Sequence, residues 1–266
     1  MILEISASKV AGFIGLHKYQ NSNEIMYELL ARDLCGKKKI AEIQSQFNRQ
    51  SYSTVVNEIL RDNAIRDCIA GGLNAAKLTT DVSSVLEDVQ QRATAVLALR
   101  HDSLPKELRV RLAEEVRGSV SKQRGLNNEE KILDTYETVR KVKVIERNTK
   151  TITKDYGTYR LTGRCDGFVA EQRRIVDSKD RTRAWPTVPL YDEIQMRCYM
   201  ILYNAMDAEL IERFPDKTTR HTVYDNDPEK WKHIHDMIER GVVKMNLALH
   251  DDEELKRIVF ANTVEI

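Results

Sequence analysis

The chain has 266 residues, a formal net charge of +1 and 31% Asp, Glu, Lys and Arg, which allows one large domain or two small ones and a sizeable buried core. That balance excludes a uniformly basic coat but not a local basic cleft. No apolar run approaches the roughly 18 residues of a membrane span, MILEISASKV lacks the pattern of a secretory signal, and four cysteines without CxxC spacing read as reduced thiols; an intracellular protein with no membrane partner is expected.

In chain order, residues 6–16 (SASKVAGFIGL) read as a short helix capped by Ser6 or Ser8 and ended by Gly15. Asn21, three residues before Glu24, opens a second helix. From about 50 to 124 the pattern is helical, with segments over 51–69, 82–99 and 105–123. Gly125 breaks the series and a helix restarts near Asn128. Residues 141–181 then alternate in short strand-like runs, VKVIER, KTITKDYG, TYRLTGRCDGFVA and RRIVDSKDR, with a turn at Asp155-Tyr156-Gly157. A strong helix covers about 190–205, two strands (AELIERF, TRHTVYD) follow, and Asp227-Pro228 opens a long helix to about Leu249. The tail starts helical. This order predicts an α/β core, a small mixed and mostly antiparallel sheet flanked by helices, with a large helical N-terminal portion. The whole chain reads as one domain carrying 30–124 as a helical insertion or lobe.

The chemistry concentrates between Leu161 and Tyr199. Three acid-x-Lys triplets occur, Glu129-Glu130-Lys131, Asp177-Ser178-Lys179 and Glu254-Leu255-Lys256. Only the second follows a β-branched pair, Ile175-Val176, and has another acid, Asp166, one strand earlier. Strand alternation puts Asp177 and Lys179 on one face and Ser178 on the other. Asp166 and Asp177 can hold a hard divalent cation, with the main-chain carbonyl of Ser178 as a further donor. Such an ion activates water and offsets charge on a phosphorane, and Lys179 can orient or help deprotonate that water and add positive charge near the phosphate. By itself the pattern also fits a surface hairpin with solvated charges. Trp185 could stack on a base or pack in the core. His221, His233 and His235 are poorly spaced for zinc.

Gln195 and Tyr199, four apart on the helix after the triplet, share a face. Acid, strand, acid-x-Lys, then a helix with Q-x-x-x-Y resembles the PD-(D/E)XK nuclease superfamily, in particular its RecB-like branch. Ile5-Ser6-Ala7-Ser8-Lys9-Val10, followed by Ile14-Gly15-Leu16 and Tyr19, resembles the opening of the λ exonuclease and YqaJ-type viral recombinase nucleases. Gly125 and Glu129 match that family's Gly-x-x-x-Glu. The resemblance implies a restriction-endonuclease-like core and a further active-site carboxylate at Glu129, close to the metal. It also implies that Ser8 lies near a DNA phosphate and that Gln195 contacts the nucleophile or the scissile phosphate. Asp177 stands where λ-type enzymes have Glu, and no arginine precedes the serine motif to grip a 5′-phosphate.

What the resemblance implies is a Mg²⁺- or Mn²⁺-dependent deoxyribonuclease that degrades linear double-stranded DNA from 5′ to 3′ in viral recombination or repair, within the cytoplasm or nucleus of a host cell. Its partners would be double-stranded DNA, a single-strand annealing protein and copies of itself in a trimer. Ser8, Arg164, Arg181 and Tyr199 are the DNA-contact candidates, with Lys9 and Lys18 beside them. An endonuclease or single-strand exonuclease on the same core, and a non-catalytic DNA-binding protein retaining the fold, are the alternatives.

Overall fold

The computed structural model describes residues 2–265 and begins with a strand, β1 (Leu3–Ser6), that runs into helix α1 (Ala7–Phe13). Leu3 and Ile5 are buried and Glu4 exposed, the alternation of a half-buried strand. The helix expected over 6–16 is therefore shorter. Ser6 is its N-cap residue but makes no side-chain cap bond, and Gly15, at φ +77°, turns the chain away in a conformation that favours glycine. Asn21 caps α2 (Ser22–Leu30) through its side chain, as expected. Asp33 caps α3 (Leu34–Gln46), a helix that the sequence pattern does not announce.

A short strand β2 (Arg49–Ser51) leads to helices α4 (Tyr52–Ile59), α5 (Asn63–Leu78), α6 (Val82–Arg100) and α7 (Lys106–Arg140). The single helix expected over 51–69 is two. Asp62 accepts from the amides of Ala64 (2.8 Å) and Ile65 (3.4 Å) and so starts a new helix. The larger correction concerns Gly125, because α7 runs unbroken for 35 residues straight through it. One glycine costs a helix interior about 1 kcal/mol relative to alanine. Burial of Leu112, Val116 and Val120 before it, and of Ile132, Leu133 and Tyr136 after it, outweighs that cost. Ile65, Val89, Leu97, Leu112 and Val116 form a hydrophobic cluster of the α4–α7 lobe, distinct from the main core.

The remaining elements are β3 (Ile152–Asp155), β4 (Tyr159–Gly163), β5 (Gly167–Val169), β6 (Arg174–Asp180), α8 (Leu190–Tyr203), β7 (Asp207–Arg213), β8 (Thr219–Asp225), α9 (Pro228–Ala248), α10 (Asp252–Ala261) and β9 (Thr263–Glu265). Residues 142–147, expected as a strand, contribute only the bridge between Ile145 and Phe168. Positive φ at Glu146 (55°) and Asn148 (49°) bends the backbone out of any ladder there.

The sheets are mixed and, as expected, most of their ladders are antiparallel. One has the order β1-β4-β3 with β1 parallel to β4, and the other β5-β6-β7-β8 with β6 parallel to β7. A third ladder pairs β2 with β9. The two larger sheets are joined where β4 gives way to β5 across Arg164, Cys165 and Asp166. Ile5, Tyr159, Leu161, Ile175, Met196 and Leu210 pack the main core between the sheets and α8. Among the described residues no helix is long and apolar enough to cross a membrane.

Because a Cβ on Gly125 meets nothing within 4 Å, Gly125→Ala is expected to stabilise the protein by about 0.5–1 kcal/mol. Urea unfolding measures this, and a lowered midpoint would instead indicate a real break in α7.

Candidate active site

β6 carries the triplet into the interior. Ile175 and Val176 are fully buried, and Asp177 follows them at 1% exposure. β5 pairs only with Arg174–Val176, so Asp177 lies just past the end of that ladder. Asp166 fills the break before β5, and its Oδ2 accepts from the Ser178 amide (2.8 Å) and the Ser178 hydroxyl (3.1 Å). Strand alternation alone turns the Ser178 side chain away without a task; in the fold it helps to fix Asp166. The glycines on either side make this packing feasible. A Cβ on Gly163 would meet Leu202 at 2.7 Å and Tyr199 at 3.0 Å, and one on Gly167 would run into Val144.

Asp177 is a buried acid with little to satisfy it. Neither of its oxygens accepts a hydrogen bond from a described residue, and the Lys179 ammonium lies 2.7 Å from Oδ2. Burial pushes the Asp177 carboxyl up to about 7, with Asp166 adding to the rise and Lys179 opposing it. Asp166 is also raised, by burial first, with Glu129 adding and Lys179 and the Ser178 hydrogen bonds opposing. For Lys179, burial works downward, but Asp177, Asp166 and Asp192 outweigh it and raise its pKa. Burial also raises Glu129, opposed by a hydrogen bond from the Asn148 side-chain amide and reinforced by Asp177. Three carboxyl groups near one ammonium, Glu129, Asp166 and Asp177, thus have their ionised forms disfavoured by burial and by neighbouring acids.

Among the described residues no three His, Cys, Asp or Glu side chains gather into a set that would hold a metal by themselves. Asp166 and Asp177 nevertheless fit a hard, oxygen-seeking cation, because Asp177 Oδ1 is a buried charged oxygen with no hydrogen-bond donor.

The structure brings Glu129, Asp166, Asp177 and Lys179 within electrostatic reach of one another. Gln195 donates to the Tyr199 hydroxyl at 2.8 Å, and Tyr199 feels both Asp177 and Lys179. Arg164 is exposed beside Glu129 and forms no salt bridge among the described residues. Ser8 is exposed on the first turn of α1, just after the strand whose Ser6 is in register with Thr162.

Two DNA-contact candidates are placed otherwise. Arg181 is not a rim residue: its guanidinium is held by Asp192 (2.7 Å) and Glu212 (2.8 Å), with only 10% of the side chain exposed. Tyr199 is 5% exposed, and its hydroxyl is taken up by Gln195. Asp192, missed from the sequence, lies three residues before Gln195 and seven before Tyr199, a spacing that puts all three on one helix face. Trp185, read as able to stack on a base, sits in an aromatic rim whose other members, His17, Tyr19 and Tyr191, the sequence did not announce. His17 stacks on Tyr191 (centroids 4.2 Å apart), Tyr19 packs edge-on to Trp185 (6.4 Å), and the Arg183 guanidinium lies over Trp185 (4.8 Å). Tyr191 feels the charges of Asp192, Arg181 and Lys179, which places this rim beside the carboxylates.

A model of the PD-(D/E)XK nuclease superfamily matches residues 48–263. Similar solved structures include a phage-related exonuclease from Haemophilus somnus 129PT, at 16% identity over 53% of this chain and 73% of that one with a TM-score of 0.37. An alkaline exonuclease from Laribacter hongkongensis is similar at 16% identity over 53% of this chain and 75% of that one, with a TM-score of 0.40. No curated protein matches the chain.

Removing Arg181 leaves Asp192 and Glu212 buried without their shared cation. Arg181→Ala is therefore expected to cost about 3–5 kcal/mol of stability, read from denaturant midpoints. Unchanged stability would return Arg181 to the DNA-contacting surface.

Proposed function

The chain belongs to the PD-(D/E)XK nuclease superfamily, and from that premise we propose that it is a metal-dependent deoxyribonuclease acting on linear double-stranded DNA from an end, with 5′ to 3′ polarity. The observation that carries the reading is the buried Asp177 beside the half-buried Asp166, with an Asp177 oxygen that lacks a donor and Lys179 at its side. Asp166, Asp177 and the Ser178 main-chain carbonyl would hold Mg²⁺ or Mn²⁺, with Glu129 nearby. When bound, the ion lowers the pKa of a coordinated water and offsets charge developing on the phosphate.

The chain's own residues do the rest. Ser178 holds Asp166 in place through its amide and hydroxyl. Lys179, whose ammonium lies 2.7 Å from Asp177 Oδ2, in this reading orients or helps deprotonate the attacking water and adds positive charge near the phosphate. Tyr199 steadies the Gln195 side chain toward the scissile phosphate through their shared hydrogen bond. Arg164 and Ser8 contact the neighbouring phosphates. The whole chain serves as one nuclease domain, with the helices after residue 30 as a lobe on it. The resemblance of Ser6-Ala7-Ser8 and of Gly125 with Glu129 to λ-type nucleases supports a role in viral recombination, with a single-strand annealing partner and a homotrimer.

A second reading, a single-strand exonuclease on the same site, is favoured by the aromatic rim. Exposed Tyr19 and partly exposed Trp185, each with a cation over its ring, suit unpaired bases.

The test incubates the protein with end-labelled linear duplex, single strand and closed circle, with Mg²⁺, Mn²⁺ or EDTA. Metal-dependent stepwise loss from linear duplex ends is expected, and Lys179→Ala should lose at least about a hundredfold in rate while still binding DNA. Preferential loss of single strand supports the second reading. Cutting of closed circles, or full activity in Lys179→Ala, defeats the assignment.

A further inference from the structure

A cavity of about 430 Å³ lies apart from the carboxylates, between the helical lobe and the turn joining β7 to β8. Its cations come from three separate parts of the chain: Lys77 at the end of α5, Arg124 and Lys131 on α7, and Arg213 and Lys217 at the β7–β8 turn. No Asp or Glu lines it, although acids (41) and bases (42) are nearly equal in the chain. A single carboxylate stands behind the wall. Asp180 is shared by Arg124 (3.0 Å) and Arg213 (3.1 Å), so two guanidinium groups divide one negative charge. Asn128 also donates to Asp180, at 2.8 Å. Lys77, Lys131 and Lys217 are exposed and form no salt bridge among the described residues. The cavity therefore carries a strong positive excess with polar amides between the charges, the chemistry of a site for a phosphate polyanion.

Its position relative to the carboxylates is set by covalent neighbours. Asp180 directly follows Lys179 on β6, and Asn128 directly precedes Glu129 on α7. We infer that this cleft grips the phosphate backbone of the DNA whose end lies at the carboxylates, so that the α4–α7 lobe serves as a backbone clamp. The inference rests on the nuclease reading only for the identity of the polyanion. The walls fit such a role. The continuous helix α7 spans both the cavity and the carboxylate edge, while Leu73, Phe214 and Pro215 give the cleft an apolar side.

The experiment reverses two exposed charges, Lys77→Glu with Lys217→Glu, in the full chain. Binding to a fluorescent duplex is titrated in EDTA from low to moderate salt, so cleavage plays no part. The plot of log affinity against log salt should flatten by about 0.9 for each DNA phosphate that the cleft no longer neutralises, with at least about tenfold weaker binding near 0.1 M salt. A control, Lys37→Glu with Lys38→Glu on exposed α3, carries the same charge change away from the cavity and should weaken binding far less. Thermal melting confirms that both variants are folded; if the cavity variant is not, Lys217→Gln alone is titrated and should flatten the slope by about 0.9. An unchanged slope, or an equal weakening in the control, overturns the clamp. Stabilisation of the wild type by ATP or pyrophosphate that disappears in the variant, with duplex affinity kept, assigns the cleft to a small anion and also overturns it. If the unaltered protein binds no DNA, the nuclease reading itself has failed, a result distinct from a clamp that fails in a protein that does bind.

Discussion

The organisation of this protein depends on keeping one carboxylate, Asp177, buried beside a second that is only half-buried, Asp166. Taking an ionised carboxylate out of water costs several kcal/mol even after relaxation, and the Asp166 carboxyl adds to that cost at Asp177. The chain offsets part of it with Ser178, which gives Asp166 two hydrogen bonds, and with Lys179, which lies against Asp177. The remainder is left at Asp177 Oδ1. Local stability alone would replace that residue, and the proposed metal ion would account for an unsatisfied acid in the middle of a core strand.

The carboxylates can be held this way because the surrounding framework is tied down by other buried acids, each matched by cations. Glu209 on β7 receives Arg140 (2.7 Å), Arg174 (2.8 Å), Tyr136 (2.8 Å) and His221 (2.9 Å). Glu212 receives Arg181 (2.8 Å) and Arg220 (2.6 Å), and Asp180 receives Arg124 and Arg213. Arg124 and Arg140 both come from α7, so the helix that carries Glu129 is pinned on either side of it to β6 and β7. Planar, multiply bonding guanidinium groups suit this bracing better than lysines would. The lysines of the basic cleft, by contrast, stay solvated and form no salt bridge among the described residues.

Much of the candidate site was legible because its residues are close in sequence or share a simple period. Asp177 and Lys179 follow a β-branched pair, and Gln195 and Tyr199 share a helix face. Asp192 lay on that same face and could have been found with the same rule. Arg181 could not. Nothing in the sequence distinguishes an arginine that braces Glu212 from one that faces DNA, because Glu212 lies on another strand and reaches Arg181 only through the β6–β7 register. Gly125 misled for a related reason: its intrinsic preference is local, whereas the packing that overrides it comes from other elements.

The sequence by itself determined the acid-x-Lys strand, the earlier acid, the glutamine helix, the caps at Asn21 and Asp227 and the family that these imply, since each depends on neighbours within a few residues. Only the tertiary structure decided that Glu129 meets Asp166 and Asp177, that Asp177 is left with an unsatisfied oxygen, that Arg181 turns inward, and that five cations from three distant segments face one cleft. Those outcomes depend on strand register and on where α7 lies across the sheet, and both are set by packing free energy summed over the whole chain.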